Sequence, residues 1–389
     1  MITGGTIKMN ITGYFNVKDY GAAGDGITKD TGAIKKALDE CSRVGGGTVY
    51  FPSGKYLASP FELFSNTEVH LEAGAVILAS TDINDYFITH TSMESPRIGL
   101  IYARGSRNIA ITGKGTVDFR GMAFMDVSVP KESQGDLDRR CTRQKDGYMR
   151  FHNGIEDGPV LPLDRPGNLI QFIDCEDILI RDINLLDGPN WTVHFDNSRD
   201  IVVTGINLSN NQLIPNSDGI HLTTCRNVRI SDCRITSGDD CIAMTNYGTP
   251  GCKTENVAVT NCILSSRSAG IRIGYGENDL SNCVFSNLII HSNRGIGIFQ
   301  RNGGHIRNLI FSNIIINTRL HTGHWWGHGE PIHISTEYNQ DFTGQLGTIR
   351  DIRFSNIDAR GESGIIVYGC SDSVIEDVQF DNLCLELTG

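Results

Sequence analysis

The sequence predicts an all-β protein, a right-handed parallel β-helix with three strands per coil. Three observations predict this fold: 44 glycines are interspersed among short apolar runs, helical periodicity is almost absent beyond the first fifty residues, and one six-residue pattern occurs nine times. Glycines between short apolar runs indicate short strands joined by tight turns. A repeat of about 25 residues is typical of a solenoid, whose units stack on one another.

The six-residue pattern supplies the first strand of each coil and the bend that leads into the second strand. Its copies occupy residues 108–113, 177–182, 200–205, 227–232, 256–261, 282–287, 308–313, 351–356 and 377–382. Each copy ends in Gly, Asp or Asn, and we predict a sharp bend there because these residues tolerate a left-handed backbone. Apolar residues alternate on both sides of the bend, as in Ile109/Ile111 and Ile183/Leu185, which points every second side chain inward.

A further apolar pair in each coil predicts the third strand. The pairs are Val193/Phe195, Ile220/Leu222, Ile242/Met244, Ile271/Ile273, Ile296/Ile298, Ile332/Ile334 and Ile365/Val367. One coil cannot bury its inner face alone, so the coils must stack. We therefore expect residues 1–389 to form a single elongated domain.

The N-terminal region, about residues 15–60, is predicted to cap the coil stack with one amphipathic helix. Its apolar residues at i, i+3, i+4 and i+7 spacing are Ile34, Ala37, Leu38 and Cys41. Asp30 is the predicted helix cap, and the glycines at 45–47 end the helix. Long loops are expected at about 120–166 and about 314–330, and loops on a rigid solenoid usually line its binding groove.

Charge and composition exclude several kinds of partner. The net charge of −11, with no Lys/Arg block, would repel a phosphate backbone, so nucleic acid is not an expected partner. No apolar run reaches the roughly 18 residues of a membrane span, and no secretion signal is visible. The 11 cysteines are spread singly, which indicates free buried thiols rather than a zinc ribbon. We expect a cytoplasmic protein, and the sequence does not predict its oligomeric state.

Aligning the third strands turns the repeat into columns of side chains, because stacked strands lie about 4.8 Å apart. The column just before the strand contains Trp191, Asp218, Asp240, Ala269, Arg294 and Glu330. An outward column on the strand contains His194, His221, Ala243, Arg272, Gly297 and His333. Asp218 and Asp240 are therefore predicted to lie one coil apart, with Asp239 beside them.

Three carboxylates this close form a candidate acid and base pair. Like-charge proximity raises at least one pKa and keeps that group protonated near neutral pH. Inverting hydrolysis of a glycosidic bond needs such a general acid together with a carboxylate that activates water. The alternative is that Asp218, Asp239 and Asp240 are turn residues or a cation site, because Asp is common at bends.

Two motifs around these acids resemble the paired Asn-Thr-Asp and Asp-Asp signatures of glycoside hydrolase family 28, the polygalacturonase family. The motifs read Pro215-Asn216-Ser217-Asp218-Gly219-Ile220 and Ser237-Gly238-Asp239-Asp240-Cys241-Ile242. Residues 113–118, Arg165-Pro166 and Pro189-Asn190-Trp191 also fit family 28, and residues 17–26 with Asp30-Thr31 resemble an N-terminal signature shared by many β-helix carbohydrate enzymes. It implies a β-helix hydrolase without metal or other cofactor, with Asp239 as general acid and with Asp218 and Asp240 holding the attacking water.

The sequence departs from this family at two landmarks. The expected Gly-His-Gly reads Ser268-Ala269-Gly270, and the expected Arg-Ile-Lys reads Gly297-Ile298-Phe299. Both cations that would bind a galacturonate carboxylate are therefore missing. Arg272, one coil earlier in the outward column, and Arg294 are candidate replacements. Alternatively, these two arginines only neutralise the carboxylates.

Other residues are candidate substrate contacts. Trp191 either stacks on a sugar ring or packs at a loop base, whereas Trp325 and Trp326, in a Gly- and His-rich insertion, are hard to bury and so favour sugar contact. His194 and His221 would hydrogen-bond substrate or tune Asp218. A separate set in and after the insertion invites a metal interpretation: His321, His324, His328, Glu330 and His333. We predict no metal site there, because no His-Glu-x-x-His pattern is present, and count Glu330 among the substrate contacts.

These observations leave three functions open. The first is an inverting glycoside hydrolase acting on pectin-derived or related oligosaccharides or polysaccharides. The second is a β-helix polysaccharide lyase or another uronide-transforming enzyme, which would need a basic residue at the reacting carbon and often Ca²⁺. The third is a solenoid that binds glycans without catalysis. The predicted loop at 120–166 favours exo action, since a long loop can close one end of a groove.

Overall fold

The computed structural model describes residues 13–130, 159–321, 325–339 and 342–388. It is a right-handed parallel β-helix in which each coil adds one strand to each of three parallel ladders. One hydrophobic cluster extends from Phe15 to Ala359 along the inside of the coils. The fold class predicted from the repeat is therefore confirmed.

The three ladders comprise most of the strands. The first ladder contains Gly13–Asn16, Gly47–Phe51, Thr67–Leu71, Arg107–Gly113, Glu176–Arg181, Arg199–Thr204, Arg226–Ser231 and Thr254–Thr260. The second contains Asp25–Lys29, Gly54–Ala58, Ala75–Ala79, Thr116–Asp118, Asn184–Leu186, Asn207–Ser209, Arg234–Ser237 and Ile263–Ser266. Both continue through the long strands Leu280–Ser292, Ile306–Thr318, Ile349–Gly361 and Ile375–Leu387.

The third ladder forms a separate sheet and carries the predicted apolar pairs. Its strands are Phe61–Glu62, Ile101–Arg104, Ile170–Ile173, Val193–Asp196, Ile220–Thr223, Ile242–Asn246, Ala269–Gly276, Arg294–Gln300, Ile332–Thr336 and Ile366–Tyr368. Short 3-10 helices lie at Val17–Tyr20, Ile83–Asp85 and Gly121–Phe124. No helix in the described part of the chain is long and apolar enough to span a bilayer.

The amphipathic helix spans Thr31–Arg43 and buries the predicted apolar face against the first coils. The sequence predicts Asp30 as the helix cap; Asp30 does precede the helix, but its side chain forms no capping hydrogen bond. Its carboxylate instead accepts the backbone N–H groups of Ala23 and Gly24 at 2.7 and 3.0 Å, so Asp30 stabilises the turn before the helix. The proposed role of this helix as a cap of the stack stays a prediction.

Each repeat bends at both ends, whereas the sequence predicted only the second bend. The last position is left-handed in every copy, from Gly113 at φ 113° to Asn382 at φ 50°. The first position is also left-handed, from Asn108 at φ 55° to Asp377 at φ 52°. Asp and Asn tolerate this conformation better than other side chains. The bend residues also form ladders: the Asn287 amide donates to Asn261 Oδ1 at 3.4 Å.

Replacing Asn287 with alanine is expected to lower the free energy of unfolding by about 1–2 kcal/mol, because alanine pays the full cost of a left-handed backbone. Asn287→Gly is the matched control, since glycine adopts positive φ without that cost. Denaturant titration of both variants measures the difference. Equal losses in the two variants would assign the cost to the amide ladder instead of the backbone.

The two predicted loops differ from their expected bounds. Between about 120 and 166, the chain contains an antiparallel pair of strands, Met125–Pro130 and Val160–Pro162; residues 131–158 lie outside the described residues. The second loop does not begin at 314, because Ile314 and Ile316 continue the buried alternation of their strand to Thr318. Within the described residues all ten cysteines are free thiols, and seven are buried.

Candidate active site

Strand register confirms both predicted columns. Along the outward column, His194 pairs with His221, His221 with Ala243, Ala243 with Arg272, Arg272 with Gly297, and Gly297 with His333. In the other column, the Gly219 N–H donates to the Asp240 carbonyl at 2.9 Å. Asp218 and Asp240 therefore lie on successive coils at the start of the third ladder, as the alignment predicted.

The structure brings the three acids together in one cavity of about 210 Å³. Asp218, Asp239 and Asp240 all line it, and their exposed fractions are only 2, 7 and 4%. The aromatic side chains around the cavity are those of Trp191, Tyr247, Tyr275 and Trp326. The cavity thus combines acidic groups with ring faces that suit the C–H face of a sugar.

Asp218 is the most strongly perturbed of these acids. Burial raises its pKa well above the ordinary value, the carboxylates of Asp239 and Asp240 raise that pKa further, and Arg272 lowers it. The His221 Nδ1 atom lies 2.9 Å from Asp218 Oδ2. A carboxylate with a raised pKa has a higher proton affinity, so the ionised form of Asp218, which Arg272 favours, suits a group that takes a proton from water.

Arg272 links two of the acids. Its Nε donates a short hydrogen bond to Asp240 Oδ2, and its Nη2 lies 3.9 Å from Asp218 Oδ2. Asp240 also accepts the backbone N–H of Ala269 at 3.3 Å. The guanidinium carbon lies 5.2 Å from the Tyr275 ring centroid. One cation therefore compensates part of the negative charge of these two carboxylates.

Arg294 also lines the cavity, and a buried carboxylate orients it. Its Nε donates to Glu330 Oε1 at 2.6 Å, and Glu330 also accepts from His333 Nδ1 at 3.2 Å. Burial alone would raise the pKa of Glu330, but Arg294 and His333 lower it below its ordinary value. The Arg294 guanidinium is thus held by an ionised carboxylate through one nitrogen.

Gly297 and Phe299 stand where the expected Arg and Lys of family 28 are missing, and they leave space for Arg294. A Cβ at Gly297 would lie 2.5 Å from the Phe299 ring and 3.0 Å from Arg294 Cδ. The Arg294 guanidinium carbon lies 4.7 Å from the Phe299 ring centroid. The absence of a side chain at 297 therefore makes room for the ring and for an arginine from the start of the same strand.

Three predicted substrate contacts are buried and lie outside the described cavity lining: His194, Trp325 and Glu330, exposed by 4, 3 and 0%. The expectation that Trp325 is hard to bury is wrong, whereas Trp326 does line the cavity. His194 is outward from the core but enclosed by Asn168, Gln171 and Thr223. His324 lies outside the described residues.

Sequence reasoning missed part of the cavity lining: Met93, Glu94, Thr245, Tyr247 and Tyr275. Thr245 and Tyr275 belong to third-ladder strands, so extending the column alignment by a few positions could have found them. Met93 and Glu94 come from a segment without repeat register. Among the described residues, no group of three or more His, Cys, Asp or Glu side chains could hold a metal ion.

The family model for glycosyl hydrolases family 28 matches residues 162–389, which include the three acids. The chain belongs to glycosyl hydrolase family 28. A second model, rhamnogalacturonase A/epimerase, pectate lyase-like, matches residues 14–95 of this family 28 chain. The relationship inferred from the two Asp motifs is therefore confirmed.

Several proteins are similar to this family 28 chain. A probable polygalacturonase of Vitis vinifera is 35% identical over 266 residues, covering 66% of this chain and 50% of that protein. The chain spans about half the length of the curated relatives it matches. The exopolygalacturonase of Thermotoga maritima shares the fold with a TM-score of 0.69 and 21% identity, over 96% of this chain and 92% of that one.

A further structural neighbour is the endo-xylogalacturonan hydrolase of Aspergillus tubingensis. Its TM-score is 0.67 at 15% identity, over 96% of this chain and 93% of that one. At these identities, the two solved structures establish the β-helix fold of this family 28 chain. The chemistry of its site must be argued from its own residues.

Proposed function

We propose that this protein is an inverting glycoside hydrolase that cleaves uronate-containing oligosaccharides or polysaccharides related to pectin. The observation that carries the proposal is the convergence of Asp218, Asp239 and Asp240 in one cavity, with Arg272 and Arg294 beside them. Membership of family 28 supports hydrolysis, and the relatives named as polygalacturonases support pectin-type substrates. Inverting hydrolysis of an anionic sugar requires a general acid, a carboxylate that activates water and a cation for the sugar's carboxylate, and these groups match that requirement.

The three acids have different roles in the proposed reaction. Asp240 accepts hydrogen bonds from Arg272 and the Ala269 N–H, which hold its carboxylate in place. Arg272 favours the ionised form of Asp218, and in that form Asp218 accepts a proton and acts as the base. Together they would hold the attacking water. The family resemblance assigns the proton to Asp239, which protonates the glycosidic oxygen of the leaving group as water attacks the opposite face of the sugar.

Arg294 is the group that we expect to recognise a substrate carboxylate. Glu330 holds it through Nε at 2.6 Å, so the terminal Nη groups remain to form a paired contact with a carboxylate. Arg272 is less suited to this task because it already binds Asp240 and approaches Asp218. Arg294 would thereby replace the cations missing at Gly297 and Phe299.

Replacing Arg294 with glutamine is expected to raise KM for a free-acid oligogalacturonide about 10- to 100-fold, which corresponds to about 1.5–3 kcal/mol for a hydrogen bond to a charged group. The methyl-esterified oligosaccharide is the matched substrate, because its carboxyl group carries no charge. Steady-state kinetics on both substrates measure the effect. An equal change on the acid and the ester would assign Arg294 to general packing.

A product analysis tests the proposed reaction itself. Wild-type protein is incubated with defined galacturonides, rhamnogalacturonides and neutral oligosaccharides, and the anomer first released is read by NMR. We expect hydrolysis of a uronate-containing oligomer with inversion. Retained configuration would refute the mechanism. An unsaturated product absorbing near 235 nm would favour a lyase, and binding without turnover would favour a glycan-binding solenoid.

A further inference from the structure

A buried chain of polar side chains leads through the protein to Asp218. It begins at two amides, Asn168 and Gln171, and both approach His194 Nδ1, at 2.8 and 3.3 Å. The other nitrogen of His194, Nε2, lies 3.0 Å from the hydroxyl oxygen of Thr223. His194 is 4% exposed, so these contacts are its alternatives to water.

The chain continues across the next coil. The hydroxyl oxygens of Thr223 and Thr245 lie 3.0 Å apart, and Thr245 Oγ1 lies 3.1 Å from His221 Nε2. His221 Nδ1 ends the chain 2.9 Å from Asp218 Oδ2. Strand register places Thr223 beside Thr245 and His194 beside His221, so the chain is built into the coil stack.

The amides set the direction of the first hydrogen bonds. Gln171 Nε2 donates to the backbone carbonyl of Thr91 at 2.8 Å. Because a carbonyl can only accept, the oxygen and nitrogen of the Gln171 amide cannot be exchanged. Asn168 Oδ1 accepts the Ser92 hydroxyl at 2.9 Å, which leaves its Nδ2 facing the imidazole. His194 Nδ1 therefore accepts, and His194 carries its proton on Nε2.

That direction propagates to the active site. The His194 Nε2–H donates to Thr223, the Thr223 hydroxyl donates to Thr245, and the Thr245 hydroxyl donates to His221 Nε2. A neutral imidazole has one N–H, so the proton of His221 is on Nδ1 and points at Asp218. The opposite direction would put an N–H on His194 Nδ1 facing the Gln171 amide, where donor would meet donor.

His221 is well placed to stay neutral while it donates. It is fully buried, and its ring stacks on Trp191 with centroids 3.6 Å apart. Burial lowers the pKa of His221 well below its ordinary value, and Arg272 and His194 lower that pKa further. Burial also lowers the pKa of His194 to about 3. Both imidazoles are therefore neutral near neutral pH.

Several charged groups face Asp218 besides this imidazole. Asp239, Asp240 and Glu94 raise its pKa, and Arg272 lowers it; the buried guanidinium of Arg165 also interacts with it. The negative groups favour a protonated Asp218, which could not activate water. A directed N–H from His221 favours the ionised acceptor form instead.

We infer that Asn168, Gln171, His194, Thr223, Thr245 and His221 form a directed hydrogen-bond chain that positions Asp218 as the proton acceptor of the reaction. Its catalytic consequence rests on the proposed hydrolase function, but the tautomer of His221 does not. These are positioning residues, because their effect on the reaction is exerted through Asp218.

Thr245→Val tests the chain because valine keeps the side-chain shape and removes the hydroxyl that donates to His221. The acid limb of the kcat/KM pH profile is expected to move up by about 0.5–1 pH unit, the equivalent of one net hydrogen bond, with kcat down about 3- to 10-fold. Thr245→Ser, which keeps the hydroxyl, should retain the wild-type profile. Thr223 lies one hydrogen bond further from Asp218 than Thr245 does. Thr223→Val should therefore also move the acid limb of the kcat/KM profile to higher pH, but by a smaller amount.

The tautomer is measured independently by ¹⁵N NMR of histidine-labelled protein, with the His221 signal assigned by its loss in His221→Asn. We expect a proton on Nδ1 in the wild type and exchange between tautomers in Thr245→Val. A proton on Nε2 in the wild type, or identical pH profiles for the Val and Ser variants, would overturn the inference. An Nδ1 proton in a protein without hydrolase activity would support the chain and refute the proposed function.

Discussion

Replacing Asp239 with asparagine is expected to lower kcat about 10²- to 10⁴-fold on an oligosaccharide, the usual contribution of a general acid. Asparagine keeps the shape of the side chain and cannot donate an acidic proton to the glycosidic oxygen. KM should change little, because this proton transfer occurs in the transition state. Initial rates of reducing-end release in both proteins measure the effect.

An aryl glycoside with an acidic phenol provides the control for Asp239. Such a leaving group departs without protonation, so its cleavage by Asp239→Asn should fall much less than that of the oligosaccharide. Asp218→Asn is the matched variant, since loss of the base should slow both substrates alike. If Asp239→Asn slows both substrates equally, Asp239 is not the general acid.

Replacing Arg272 with methionine is expected to damage both stability and activity. The change leaves Asp240 and Asp218 buried without the cation that joins them, and removal of one partner of a buried ion pair costs about 3–5 kcal/mol. Loss of the ordered carboxylates around the water should lower kcat at least about 100-fold. Denaturant unfolding and steady-state kinetics measure the two effects.

The stability loss in Arg272→Met should depend on pH in a defined direction. Arg272 lowers the pKa of Asp218, so its removal raises a folded-state pKa that burial has already lifted above the unfolded value. The penalty is therefore largest above the folded pKa and shrinks as pH falls through it and the carboxyl takes up a proton. Arg272→Lys, which keeps the charge, should show a smaller loss. A loss independent of pH would contradict the electrostatic explanation.

The repeat made most of this fold predictable. Because side chains alternate along strands and strands stack at a constant spacing, aligning apolar pairs was enough to place Asp218 and Asp240 on adjacent coils. The same alignment placed Arg272 one coil before Gly297. Asn and Asp residues at the bends, such as Asn287 and Asp182, also made the positions of the turns predictable.

Features outside the aligned repeat could not be predicted from the alignment. Glu94 reaches the cavity from an irregular segment, and the burial of Trp325 depends on how an insertion folds back. The outward position of His194 was predicted correctly, but its enclosure by Asn168 and Gln171 depends on side chains from other coils and loops. The expected cytoplasmic location stays a prediction.

The position of the acids along the solenoid has a consequence for local unfolding. Asp218 and Asp240 precede the fifth and sixth of the ten strands in the third ladder, counted from Phe61–Glu62. In a solenoid each coil is stabilised mainly by its immediate neighbours, so opening starts at a terminus and advances coil by coil. Within the described coils, four strands of the third ladder lie on each side of this pair, so the outermost of these coils can open while the arrangement of the acids persists.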